Sequence, residues 1–242
     1  MPGLGTILNV ILVIIGGILG HFFGKLLKER IQNSLTVACG VSVLAIGMGG
    51  ALEGMLSLDS SGMIKSGRGV FIVVVMLLGA IVGEIINIEG WFERFGEWLK
   101  VKTGNSKDPR FVEGFITASF TVCIGAMAIV GSIEDGLYGN YSILLTKGIL
   151  DCIIIMVMTA SMGKGPVFSF IPIAILQGLV TLLSKVIEPL MTEAALANLS
   201  MIGNIMIFCV GINLVWGKKV RVANLLPALV FAVAFAFLPW QF

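Results

Sequence analysis

The chain has 242 residues, of which 57% are hydrophobic and only 12% charged, with a formal net charge of +2. Soluble domains carry about a quarter charged residues, and a chain this small has no interior able to absorb so much apolar surface. With a mean hydropathy of +1.03, these figures exclude a water-soluble globular protein and make the bilayer the solvent. Nucleic-acid binding is excluded too, because no basic face with interleaved aromatics occurs.

In chain order, apolar blocks near the roughly 20 residues that cross a bilayer fall at 5–24, 35–56, 68–88, 112–132, 142–163, 167–187, 197–216 and 221–239. Their backbone groups must be satisfied inside each segment, and the blocks lack the alternation of barrel strands. The predicted fold is all-α: one transmembrane domain over 1–242, a bundle of about eight helices. The N-terminal block has no basic region before it and no small-residue cleavage signal after it, so it reads as a retained helix. Lys65, Arg68, Lys147 and Lys185 fall on one side of this topology, and the rest of the sixteen Lys and Arg fall on the other. Positive residues stay cytoplasmic in short loops, which places both termini outside the inner membrane.

The longest connection, 89–110, opens with WFERFGEWLKVK. Trp91, Phe95, Trp98 and Leu99 share a helical face, with Glu93, Arg94, Glu97 and Lys100 largely opposite. That pattern predicts a cytoplasmic helix lying in the interface, with its tryptophans at headgroup depth. Weak internal similarity also runs through the chain. Gly16-Gly17-Ile18-Leu19-Gly20-His21 matches Gly79-Ala80-Ile81-Val82-Gly83-Glu84, and LTVACGVSVLAIG, FTVCIGAMAIVG and IGNIMIFCVG echo one another. These matches suggest a helix pair used three times. Two three-helix units of opposite sense would follow, an arrangement common in secondary transporters.

Ionisable groups inside a bilayer are costly and need a reason. Asp151 lies about ten residues into its span, with Lys147 one turn earlier, so the two share a face and can neutralise each other. A packing pair and an ion-coupling carboxylate with a displaceable lysine both fit that spacing. His21 and Glu84 occupy matching repeat positions near the cytoplasmic ends of their spans; they either snorkel to water or, sharing a cavity, relay protons. In Gly125–Gly136, small residues including Gly131 precede the adjacent carboxylates Glu134 and Asp135. That stretch is either an extracellular capping turn or a broken helix whose carbonyls and acids line a path for a cation or amine.

Asn9, Gln177, Asn204, Asn213 and Asn224 read as hydrogen-bonding cross-links between helices, and Pro172 and Pro227 as bends. Gly16, Gly20 and Gly24, and Gly79 with Gly83, form small-residue ridges for close packing, with a homo-oligomer interface as the alternative use. Cys39, Cys123, Cys152 and Cys209 show no metal or disulfide spacing. With one histidine and no nucleotide or nucleophile motif, no catalytic residue, metal or other cofactor is expected, and enzymatic activity is not indicated.

The segment CIGAMAIVGSIEDGLYGNYSILLTKGILD (123–151) resembles the YdfK/YqgA-type family of bacterial membrane proteins, a domain-of-unknown-function group. The resemblance extends from the Gly-rich first span past GINLVWGKKVRVANLLPAL. It implies a bacterial inner-membrane protein, with transport the activity usually suggested for such proteins. It also marks Gly131, Glu134, Asp135, Lys147 and Asp151 as residues of the family's hallmark stretches. The expected activity is secondary transport of a small cation, amine or amino acid coupled to protons or sodium. A passive channel and a non-transporting membrane subunit are the alternatives, and the expected partners are the lipid bilayer and the small solute or ion.

Overall fold

The computed structural model describes residues 2–58 and 62–238. The helices are α1 (Leu4–Leu26), α2 (Glu29–Met55), α3 (Gly69–Ile86), α4 (Ile88–Lys102), α5 (Phe111–Cys123), α6 (Ala126–Tyr138), α7 (Ser142–Met162), α8 (Phe170–Leu182), α9 (Ser184–Ile187), α10 (Glu193–Trp216) and α11 (Pro227–Phe235). Six helical segments have the length and hydropathy of membrane spans; α5 with α6 makes a seventh, bent by 62°, and the apolar stretch Val222–Phe235 is shorter. Among the described residues six or seven spans are therefore long and apolar enough to cross a membrane, against the eight expected; the last expected span, 221–239, is represented by the short stretch Val222–Phe235.

Glycine ridges fix how the spans lie against one another. A Cβ on Gly16 would stand 2.3 Å from the Cys152 carbonyl oxygen, and one on Gly20 would stand 2.2 Å from that of Met156. With Gly24 against Ala160, the register shows α1 and α7 running parallel in backbone contact. Gly40 meets Leu214 and Gly54 meets Met201, so α2 and α10 run antiparallel. Gly79 and Gly83 press on Ala228 and Asn224, which sets α3 antiparallel to the last crossing. Inside a membrane such close approach replaces the hydrophobic effect as the source of helix association. The core gathers around Val13, Val75, Ile155, Ile173, Ile202 and Met206, all with no exposed surface.

Several boundaries depart from the sequence reading. The 112–132 span ends early, because Ile124 is extended and Gly125 has φ of 149°, a conformation glycine adopts freely. A new helix begins beyond it and carries Glu134 and Asp135 near its C-terminal end; of the two readings of this stretch, the interrupted helix is the one observed and the capping turn is not. The 167–187 span opens with a 3₁₀ turn (Gly165–Ser169), and the 221–239 span with another (Val222–Leu225) before Pro227 starts α11. The fold is helical apart from a short ribbon, β1 (Leu56–Leu58) paired antiparallel with β2 (Ile64–Ser66), between α2 and α3.

The interfacial segment forms α4, with Trp91 (62%), Trp98 (54%) and Val101 (63%) exposed. Leu99 turns the other way: it is buried with Phe111 and Phe115. The exposed strip is therefore narrower than the sequence face, since the helix must also dock on α5 through Gly96 and Leu99.

Candidate functional site

The break between α5 and α6 leaves the last carbonyls of α5 without intrahelical partners, as at any helix end. That end also carries the negative pole of the α5 dipole. Into it reaches Lys147 from α7, whose Nζ donates to the Val122 carbonyl oxygen at 2.6 Å and pairs with Asp151 Oδ2 at 2.5 Å. The side chains of Lys147 and Asp151 are only 9% and 6% exposed. The i, i+4 spacing read from the sequence thus becomes a buried pair that also bridges two helices. Gly203 of α10 lies against the break.

One buried carboxamide, Asn9, adjoins the pair, and a second, Gln177, lies on α8. Asn9 on α1 packs on Gly148, one turn before Asp151: a Cβ there would stand 3.3 Å from Asn9 Oδ1. The Asn9 side chain is within electrostatic reach of Asp151 yet completes no hydrogen bond, and Gln177 on α8 likewise leaves both side-chain polar atoms without a partner. Asn9 is 0% and Gln177 1% exposed. Sequence reading classed both as helix cross-links, but neither makes one. Their shared signal was a carboxamide in an otherwise apolar run.

Asp135 is not at an open mouth. It is fully buried, and its Oδ2 accepts from the backbone N–H of Gly5 (2.9 Å) and Thr6 (3.3 Å). Helix α1 has Gly3 at its N-cap and no side-chain cap of its own, so a carboxylate from α6 supplies one to its first turn. Gly131 packs α6 against Leu144 of α7, and Glu134 accepts from Asn140 at 3.3 Å. Asp135 and Gly131 therefore hold α6, the second half of the broken crossing, against α1 and α7.

His21 and Glu84 are not brought together. His21 lies beside Phe22 with Lys25 and Lys164 as its charged neighbours, whereas Glu84 pairs with Arg221 at 3.1 Å on an exposed surface.

On the side of the bundle opposite the N-terminus, a cavity of about 620 Å³ is lined by Glu89, Glu93, Glu97, Glu113, Asn213 and Lys218, among others. A smaller pocket shares Glu89, Thr117 and Asn213 and reaches Phe120 on α5, two residues short of Val122. Lys218 bonds Glu93 (2.5 Å) and Glu89 (3.0 Å). Burial pulls its ammonium down, but hydrogen bonds to Glu93 and Glu89 outweigh that and raise it above the ordinary lysine value. Glu89 also accepts from the Ala223 N–H, while its own N–H donates to Asn224 Oδ1, tying α4 to the start of the last crossing. Glu89 was not singled out in the sequence reading. Its burial follows from contacts between residues about 135 positions apart.

Comparison with known proteins adds a family. Residues 4–237 match the family described as "Protein of unknown function (DUF554)". The "Uncharacterized membrane protein YdfK" of Bacillus subtilis (strain 168) is 30% identical over 225 residues, covering 93% of this chain and 92% of that protein. The "Uncharacterized protein YqgA" of Escherichia coli (strain K12) is 28% identical over 234 residues, covering 95% and 94%. No solved structure matches. With nearly its whole length matched, the chain belongs to the DUF554 family of membrane proteins.

Proposed function

We propose that the protein is a secondary transporter of a small cation, amine or amino acid in the bacterial inner membrane, coupled to a proton or sodium gradient. One observation carries this reading: a buried Lys147–Asp151 pair seated on the open carbonyl end of an interrupted membrane helix. Interrupted helices expose backbone dipoles at the depth where solutes bind, and two half-helices about a break can rock separately. Protonating Asp151, or binding a cation to it, would free Lys147 from its countercharge and change what holds α5 to α7. The cavity with four glutamates against one lysine favours cationic over anionic solutes by concentrating them at the mouth.

In this reading the Lys- and Arg-rich side is cytoplasmic and both termini lie outside. The two three-helix units, α3 with α5–α7 and α8 with α10–α11, descend from one repeat. The matching close-packed glycines of α1 and α3, which press on α7 and on the last apolar stretch, support the repeated helix pair from which those units would be built.

Purified protein in proteoliposomes tests the function. A panel of cations, amines and amino acids is assayed with and without imposed pH and sodium gradients. Saturable, gradient-driven uptake is expected. Non-saturating current without coupling would make the protein a channel, and no flux from properly inserted protein would make it a subunit of some assembly.

A further inference from the structure

The seam between α1, α6 and α8 carries more polar groups than packing requires. From the end nearest the N-terminus inward come Asp135, the Thr6–Thr181 hydroxyl pair at 3.3 Å, Gln177, Asn9, and then Asp151. The order follows from register. Thr6 faces Thr181 and Gly17 faces Val167, so α1 and α8 run antiparallel. Asn9 and Gln177 each sit one turn inward on the same faces. Every member is at least nine-tenths buried.

Five side-chain atoms in this file have no protein partner: Asn9 Nδ2 and Oδ1, Gln177 Nε2 and Oε1, and Asp135 Oδ1. They mix donors with acceptors. A sodium ion would satisfy only the oxygens and leave both amide NH₂ groups bare, whereas water serves both kinds. The packing also bounds the file. A Cβ on Gly5 would stand 2.9 Å from Leu144, and one on Gly148 would stand 3.0 Å from Asn9 Cα, so α1 and α7 close off the seam on that side. We infer that this seam is a hydrated proton path joining the N-terminal face of the membrane to Asp151.

The inference rests on the transport reading and narrows its coupling ion to the proton. In the step it describes, a hydronium at the Asp135 end gives up its proton along the file and becomes water. The proton adds to an oxygen of the Asp151 carboxylate. The Lys147–Asp151 pair passes from neutral to a single positive charge, and Lys147 keeps only its bond to the Val122 carbonyl. The charged or titratable groups around Asp151 are Lys147 on its own helix, Cys123 on α5 and, further out, Asp135 on α6. From α1 it is faced by the Asn9 carboxamide. On α2, Glu29, Arg30 and Glu53 lie in the end turns and Cys39 is the titratable residue within the helix; the 3₁₀ turn before α8 contains none.

The test reads Asp151 directly. Reconstituted protein is followed by infrared spectroscopy after a pH jump, with the carboxyl band assigned by its loss in Asp151→Asn. Gln177→Leu and Asn9→Leu are expected to slow proton uptake about tenfold, the rate factor for losing one such hydrogen-bonded link. If Gln177→Leu does not reconstitute, Thr181→Val, which deletes one hydroxyl at nearly constant volume, is read in the same way. Uptake at the wild-type rate in these variants would overturn the path. So would a band that responds to sodium at fixed pH and not to protons. No solute is needed, so a protein that moved nothing in the flux panel would still answer this question.

Discussion

Replacing Lys147 by Met and Asp151 by Asn, singly and together, separates an ion pair that acts as a unit from two residues that merely sit close. Each single change strands the other member at under 10% exposure. A buried charge without its partner keeps its desolvation penalty, and breaking such pairs costs about 3–5 kcal/mol. Asp151→Asn falls at the lower end, because Lys147 retains the Val122 carbonyl at 2.6 Å. Lys147→Met falls at the upper end, since it leaves a carboxylate with only the Asn9 amide nearby and also releases the end of α5. At roughly 2–4 °C per kcal/mol for a chain of this size, the singles should melt about 6–20 °C below wild type. The double variant removes both charges and should lose much less than the sum.

The assay is available in the molecule itself. Cys39, Cys123, Cys152 and Cys209 are free and lie within spans, so a thiol-reactive fluorophore reports their exposure on heating in micelles. Simple additivity of the two single losses would refute the pairing.

Other outcomes follow from the same geometry. Gly16→Val places a side chain 2.3 Å from the Cys152 carbonyl, where ordinary contact begins near 3.4 Å; α1 and α7 must part by about 1 Å, at an expected cost of about 1–3 kcal/mol. Gly49→Ala meets nothing within 4 Å and should leave the melting temperature unchanged or slightly raised; equal losses in the two variants would contradict the ridge. Asp135→Ala removes the borrowed cap of α1, worth about 1–2 kcal/mol, and hydrogen exchange at the Gly5 and Thr6 amides should speed up with little change elsewhere. For Lys218, whose native value lies above the ordinary 10.5, the stabilisation is fully present below that ordinary value. It is lost as pH rises through the raised one. Lys218→Met should therefore flatten the alkaline fall in melting temperature, and an unchanged profile would show that the Glu89–Lys218–Glu93 cluster contributes nothing.

The membrane-span helices were legible because a bilayer leaves a chain few choices: apolar runs of span length become helices, and charged residues collect between them; the expected eighth, over 221–239, forms only the short stretch Val222–Phe235. The Lys147–Asp151 pair was legible for a related reason, since i, i+4 spacing is local and survives any tertiary arrangement. The break at Ile124–Gly125 was half legible. Glycines flagged the region, but nothing in the sequence chose Gly125 over Gly131 as the point of interruption. Packing decided it, with Gly131 needed in helical form against Leu144 and Gly125 free of any neighbour within 4 Å.

The cap role of Asp135 and the burial of Glu89 were not legible because their partners are main-chain N–H groups more than a hundred residues away, which no local pattern encodes. Leu99 shared a helical face with the tryptophans, yet α4 had a second neighbour, α5, that claimed it. The β1–β2 ribbon is three residues per strand, too short for alternation to announce it.

The central claim is that Asp151 couples solute movement to an ion gradient from its place beside the broken crossing. Its most direct measurement compares wild type and Asp151→Asn in proteoliposomes, using whichever solute the panel identifies, by gradient-driven accumulation and by gradient-free exchange of labelled for unlabelled solute. The expected result is that Asp151→Asn still exchanges solute but no longer accumulates it against a gradient. Full gradient-driven accumulation by Asp151→Asn would contradict the coupling role and reduce the Lys147–Asp151 pair to a packing element.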